Sequence, residues 1–123
     1  MILKRPTVAI VEKDYATREM YQRELEQSYD VFPCATEVEI WQTLSLHEID
    51  VIVLEPVGLV CDRWELLQGI RVSSRNLNIR IILSSIMEEL DGDFKKELAA
   101  CLTKPVLPSA LVLVIQAVLQ TPL

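Results

Sequence analysis

Three apolar runs, Val8–Val11, Val51–Leu54 and Ile79–Leu83, recur along the chain between segments of helical pattern, and the first two contain no polar residue that would face water. A strand without alternation is buried on both sides, which requires helices above and below one sheet. The segments Tyr15–Gln27, Glu37–Leu46, Arg63–Ser73, Glu88–Ala99 and Ser109–Gln120 read as those helices. Asp14, Thr36 and Asp62 stand where N-caps belong for the first three, and Pro108 with Ser109 suits the opening of the last. Val31–Cys34 is a weaker strand, and Pro33, which lacks an N–H, places it at a sheet edge. Cys101–Thr103 completes a set of five. Repeated strand–helix units with right-handed crossovers predict an α/β fold with a doubly wound parallel sheet and a ligand crevice at the carboxyl ends of its strands.

The 123 residues, half of them hydrophobic, suffice for one domain with its own core, so residues 1–123 are read as a single unit. A net charge of -6 argues against a nucleic-acid footprint, which needs clustered Lys and Arg. Cys34, Cys61 and Cys101 are odd in number, far apart and without metal-ligand spacing, so neither a disulfide framework nor a zinc site is expected. The opening MILKRPTVAIV has only a short apolar run and no small-residue cleavage site. A cytoplasmic protein that meets protein partners, neither membrane nor nucleic acid, is the expectation.

The crevice rule selects the polar residues that follow the strands: Glu12, Lys13 and Asp14 after the first, Glu55 after the third, Ser84 and Ser85 after the fourth, and Lys104 before Pro105 after the fifth. Four distant segments thus send acids, hydroxyls and an amine to one rim. With VAIVEKD, DVIVLEP, the segment from Asp62 to Arg71, IILSS and LTKPV in this order and spacing, the chain resembles the receiver domain of two-component response regulators over nearly its whole length. The resemblance implies a flavodoxin-like, five-stranded (βα)5 architecture with strand order 2-1-3-4-5.

It also implies a role for each rim position. The family's phosphoaccepting aspartate falls on Glu55, and its two Mg²⁺-holding acids fall on Glu12 and Lys13. Its phosphoryl-binding hydroxyl falls on Ser84 and its lysine before proline on Lys104. The aromatic residue that reports phosphorylation is replaced by Cys101, and the glycine of the third loop by Arg63. Acceptor, one metal ligand and switch residue all depart from the pattern, so a degenerate receiver is expected, with no catalytic residue and no metal.

Elementary chemistry gives those departures a meaning. Magnesium requires hard oxygen ligands in near-octahedral array, and Lys13 removes one oxygen while adding a positive charge. Glu55 carries one more methylene than aspartate, which pushes its carboxylate into the space of an incoming phosphoryl group, and near-attack geometry tolerates little displacement. A glutamate there has the length to form a standing ion pair with Lys104 or Lys13. The bland readings are that Ser84 and Ser85 bond local backbone, that Cys101 is a small buried hydrophobe, that Trp41 and Trp64 cover helix–sheet seams and that His47 is a surface residue.

The last helix adds a positive signal. Ser109, Gln116 and Gln120 cluster on one stripe and leave an apolar arc of roughly 260°, wider than a sheet covers. Leu111, Val114, Ile115 and Val118 are assigned to the sheet. Ala110, Leu113 and Ala117 then flank one side and are expected at an interface. The expected function is a signalling domain that acts as a phosphorylation-independent interaction module, with a sensor kinase or output domain as partner, or as a homodimer through the face made by the fourth helix, fifth strand and fifth helix. The alternative is a phosphate-accepting regulator using an acidic, Mg²⁺-binding rim around Glu55, Glu12 and Asp14. A cofactor-binding flavodoxin relative is disfavoured, because none of the three glycines follows the first strand.

Overall fold

A computed structural model describes residues 4–56, 62–86 and 92–121. The elements run β1 (Thr7–Val11), α1 (Tyr15–Leu25), β2 (Asp30–Cys34), α2 (Glu37–Leu46), β3 (Val51–Leu54), α3 (Arg63–Ser73), β4 (Arg80–Ser85), α4 (Gly92–Lys96), β5 (Ala100–Thr103) and α5 (Pro108–Gln120). All neighbouring strands are parallel, in the order β2-β1-β3-β4-β5. β2 lies at the edge, as Pro33 requires, so that the missing N–H falls on a strand with one neighbour only.

Strand side chains alternate between two cores. Ala9, Val11, Ile52, Leu54, Ile81 and Leu83 pack with Ile40 and Leu44 of α2, with Leu66, Leu67 and Ile70 of α3 and with Phe94 of α4. Val8, Ile10, Val51, Val53 and Ile82 pack on the other face with Tyr21 and Leu25 of α1 and Leu111, Ile115 and Val118 of α5. This double coverage is the reason the strands lack a polar face.

The helix starts follow their caps. Asp14, Thr36 and Asp62 accept from the backbone N–H of Thr17, Glu39 and Glu65, and Pro108 opens α5. α4 is shorter than the expected Glu88–Ala99; residues 88–91 lie outside the described residues, and the helix ends at Lys96. There the Glu97 and Leu98 N–H groups turn to carbonyls only three residues back, and the Ala99 N–H donates to Ile81 O at 2.8 Å. That bond commits the chain to the sheet ladder before another helical turn can form. No helix among the described residues is long and apolar enough to cross a membrane.

The α2–α3 seam contains a tight approach. A Cβ on Gly69 would lie 2.8 Å from Cη2 and 3.3 Å from Cζ3 of Trp41, a half-buried ring. Gly69→Ala gains about 1 kcal/mol of helix propensity but overpacks the seam by about 1–3 kcal/mol. A net loss of about 1 kcal/mol is expected in urea unfolding, relieved when Trp41→Leu is added. Equal stability of Gly69→Ala and wild type would show that the ring moves aside freely.

Candidate functional site

Three rim residues are fixed by the ladder extending one step past its strands. The Glu12 N–H donates to Cys34 O, the Glu55 N–H to Val11 O and the Lys104 N–H to Ser85 O, each at 3.0 Å. Their side chains therefore leave regular backbone at the carboxyl ends of β1, β3 and β5 and converge. Lys104 Nζ donates to Glu12 Oε1 and lies 3.2 Å from Glu55 Oε2. Glu12 and Glu55 are only 4% and 5% exposed, so one ammonium bridges two buried carboxylates.

The rest of the rim orients this triad. The Asp14 N–H donates to Glu12 Oε2 at 3.1 Å, and Arg18 Nη1 donates to the carbonyls of Glu12 and Lys13 at 2.8 and 3.2 Å. Asp14 turns its own carboxylate to the Thr17 hydroxyl and N–H, at 2.6 and 2.9 Å, and those bonds, the hydroxyl's first, lower its pKa. At Lys104 burial pulls the pKa down, but the hydrogen bond and charge of Glu12, then those of Glu55, outweigh it and raise it. An open cleft of about 420 Å³ lies above the triad, with Lys13, Asp14, Tyr15 and Ile86 along its sides.

Of the sequence-expected residues, Glu12, Glu55 and Lys104 meet directly and Asp14 touches them through its backbone. Lys13 borders the cleft but its side chain is exposed and makes no ion pair among the described residues. Among the described residues the cation at the two buried acids is thus Lys104. Ser84 is buried beside the rim, and its Oγ has no hydrogen-bond partner among the described residues; the expected bond to local backbone is not made. Cys101 is exposed, against the expectation of a buried hydrophobe: β5 is an edge strand with alternating exposure, and Cys101 is on its open side. Cys61 lies outside the described residues.

Trp41 packs against the core below α2 and α3, whereas Trp64 stays 42% exposed with its ring edge-on to Phe94. His47 stacks on Phe32, with ring centroids 4.2 Å apart. On α5, Ala110, Leu113 and Ala117 are exposed as expected, while Leu111, Ile115 and Val118 are buried and Val114 is half-buried. Tyr15, Arg18 and Ile86 were not singled out in the sequence. Arg18 had a readable signal, four residues beyond the Asp14 cap and so one turn up the same helix face.

The donor set does not fit a magnesium ion. Both buried carboxylates already engage Lys104, and the third position of the rim is an ammonium instead of an oxygen donor. The arrangement neutralises the two acids internally.

No protein-family model matches the chain, and no curated protein sequence does. Solved structures do. The chemotaxis protein CheY4 of Vibrio cholerae matches with a TM-score of 0.78 at 22% identity, over 93% of this chain and 98% of that one. A CheY-like receiver domain from Methylobacillus flagellatus gives a TM-score of 0.81 at 16% identity over 94% and 99%. A second, from Methanospirillum hungatei, gives 0.79 at 21% identity over 93% of both chains. Together with the strand order and the five helices, these likenesses show that the chain has the flavodoxin-like fold of CheY-like response-regulator receiver domains.

Proposed function

We infer that this is a receiver-like signalling domain whose phosphoacceptor site is degenerate and which works by protein contact without phosphorylation. The carrying observation is the Lys104 ammonium between the buried carboxylates of Glu12 and Glu55. In a phosphorylated receiver-type site a new anion would draw the lysine; here Glu55 supplies that anion permanently. The carboxylate of Glu55 also occupies the approach to the acceptor position, and Lys13 stands at the cleft where a metal ligand belongs.

The working surface in this reading is the outer side of α5 with β5. Ala110, Leu113 and Ala117 form an uncharged exposed strip, and Leu113 is 66% exposed. A second copy of the chain, a sensor kinase or an output domain is the class of partner. Because Leu113 is mostly exposed and belongs to neither core, Leu113→Glu should leave circular dichroism unchanged yet bury an unpaired charge at an interface. Light scattering at tens of micromolar is expected to shift from dimer to monomer. A wild type that stays monomeric at high concentration contradicts self-association, and a Leu113→Glu protein that unfolds assigns the residue to the core.

A further inference from the structure

At the opposite, amino-terminal end of the sheet, an open cavity of about 490 Å³ lies under the second half of α5. That volume is within the roughly 300–1,000 Å³ usual for small-molecule sites. Its walls are mainly apolar: Leu77 and Leu98 from the loops, and Val114, Ala117 and Val118 from α5. Arg80, the first residue of β4, also lines it. Strand alternation puts Arg80 on the same face as Ile82, which packs against Leu111, Ile115 and Val118, so the guanidinium is directed beneath α5.

The two arginines of the cavity differ in one respect. Arg71 is satisfied: Nη1 donates to Ile79 O at 3.0 Å and Nη2 to Glu97 O at 2.9 Å, with the Glu97 carboxylate 3.9 Å away. Arg80 has no side-chain hydrogen bond or ion pair among the described residues, and its Nη1 is sealed from solvent without an acceptor. An unpaired buried donor on a fixed charge is costly, and an arginine offers five donors in a planar fork that suits a carboxylate. One unpaired cation, with Glu97 also on the wall, favours one negative charge over several. The apolar walls favour a hydrocarbon body behind it.

We propose that this cavity is a binding site for a small monoanionic amphiphile, an apolar carboxylate whose head pairs with Arg80 and whose tail lies under Val114 and Val118. The site is separate from the Glu12–Lys104–Glu55 rim and does not depend on the function proposed above. It gives the domain a place for a chemical input other than phosphate.

The test is an amide correlation spectrum titrated with octanoate, and in parallel with octanol. Octanoate is expected to give saturable shifts at Ala99, Ala100, Val114, Ala117 and Thr121, with affinity at least about tenfold above that of octanol, the scale of one charge-assisted pair. Arg80→Met is expected to remove that advantage while leaving octanol binding unchanged. Thr121→Glu, which adds an anion to the exposed wall, is expected to weaken octanoate selectively and keeps the test decisive if Arg80→Met does not fold. The proposal is overturned by the absence of saturable shifts, by shifts confined to other residues, by equal affinity for octanol, or by undiminished octanoate binding in both variants.

Discussion

Lys104→Met is expected to lower the melting temperature by roughly 10–15 °C at neutral pH. Among the described residues the lysine is the cation that bridges the two buried carboxylates of the rim, and removing it takes away the ammonium held between Glu12 and Glu55. Breaking a buried ion pair costs about 3–5 kcal/mol, and we take about 3 kcal/mol because the lysine side chain keeps 19% of its surface in water. Most of the loss should return when Glu12→Gln and Glu55→Gln are added, since neutral amides need no counter-charge. Full recovery is not expected, because new amide donors enter a buried site. An unchanged melting temperature in the single variant would show that the carboxylates relax into solvent.

The same triad sets a pH dependence. The folded pKa of Lys104 is raised, so its stabilisation is complete below the unfolded lysine value of about 10.4 and is lost as the pH rises through the folded value. Wild type should therefore lose stability in the alkaline range, and Lys104→Met should lack that part of the loss.

The second large effect is a gain. In the combined variant Lys13→Asp, Glu55→Asp, the rim loses an exposed ammonium, gains an oxygen donor at the cleft and shortens the acceptor by one methylene. Glu12 and the new aspartates then offer the hard oxygen set that Mg²⁺ requires. Millimolar Mg²⁺ should raise the melting temperature of this variant by several degrees, because a ligand held only by the folded state stabilises by about 2.7 kcal/mol at a hundredfold excess over Kd. The variant should also be less stable than wild type in metal-free buffer, where acids crowd one lysine. If it melts alike with and without Mg²⁺, Lys13 and Glu55 are not what excludes the metal.

The fold was legible because local and global signals agree. Unpolar strands, three side-chain caps and Pro33 in an edge strand each state the same architecture, and the structure follows them to within two residues except at α4. The helix there was read through Ala99 because Glu97–Ala99 continues a helical composition; the bond from the Ala99 N–H to Ile81 O is a tertiary event that no local pattern announces. The rim was legible as a set of positions, since strand ends in a parallel sheet converge. Which members touch was not. Backbone placement, not side-chain length, chose Lys104 over Lys13, whose side chain is exposed, and the ladder bonds that aim Glu12, Glu55 and Lys104 at one point depend on the register of all five strands. Cys101 was misread because burial on β5 depends on the edge position of the strand, which its own residues do not encode.

The most direct measurement of the central claim is the intact mass of the wild-type chain after incubation with a small-molecule phosphodonor and millimolar Mg²⁺, with Lys13→Asp, Glu55→Asp alongside. A site closed by Glu55 and Lys104 predicts an unshifted wild-type mass and an adduct only in the variant. A phosphoryl adduct on wild type that disappears with Glu55→Gln would contradict it and identify a phosphate-accepting regulator.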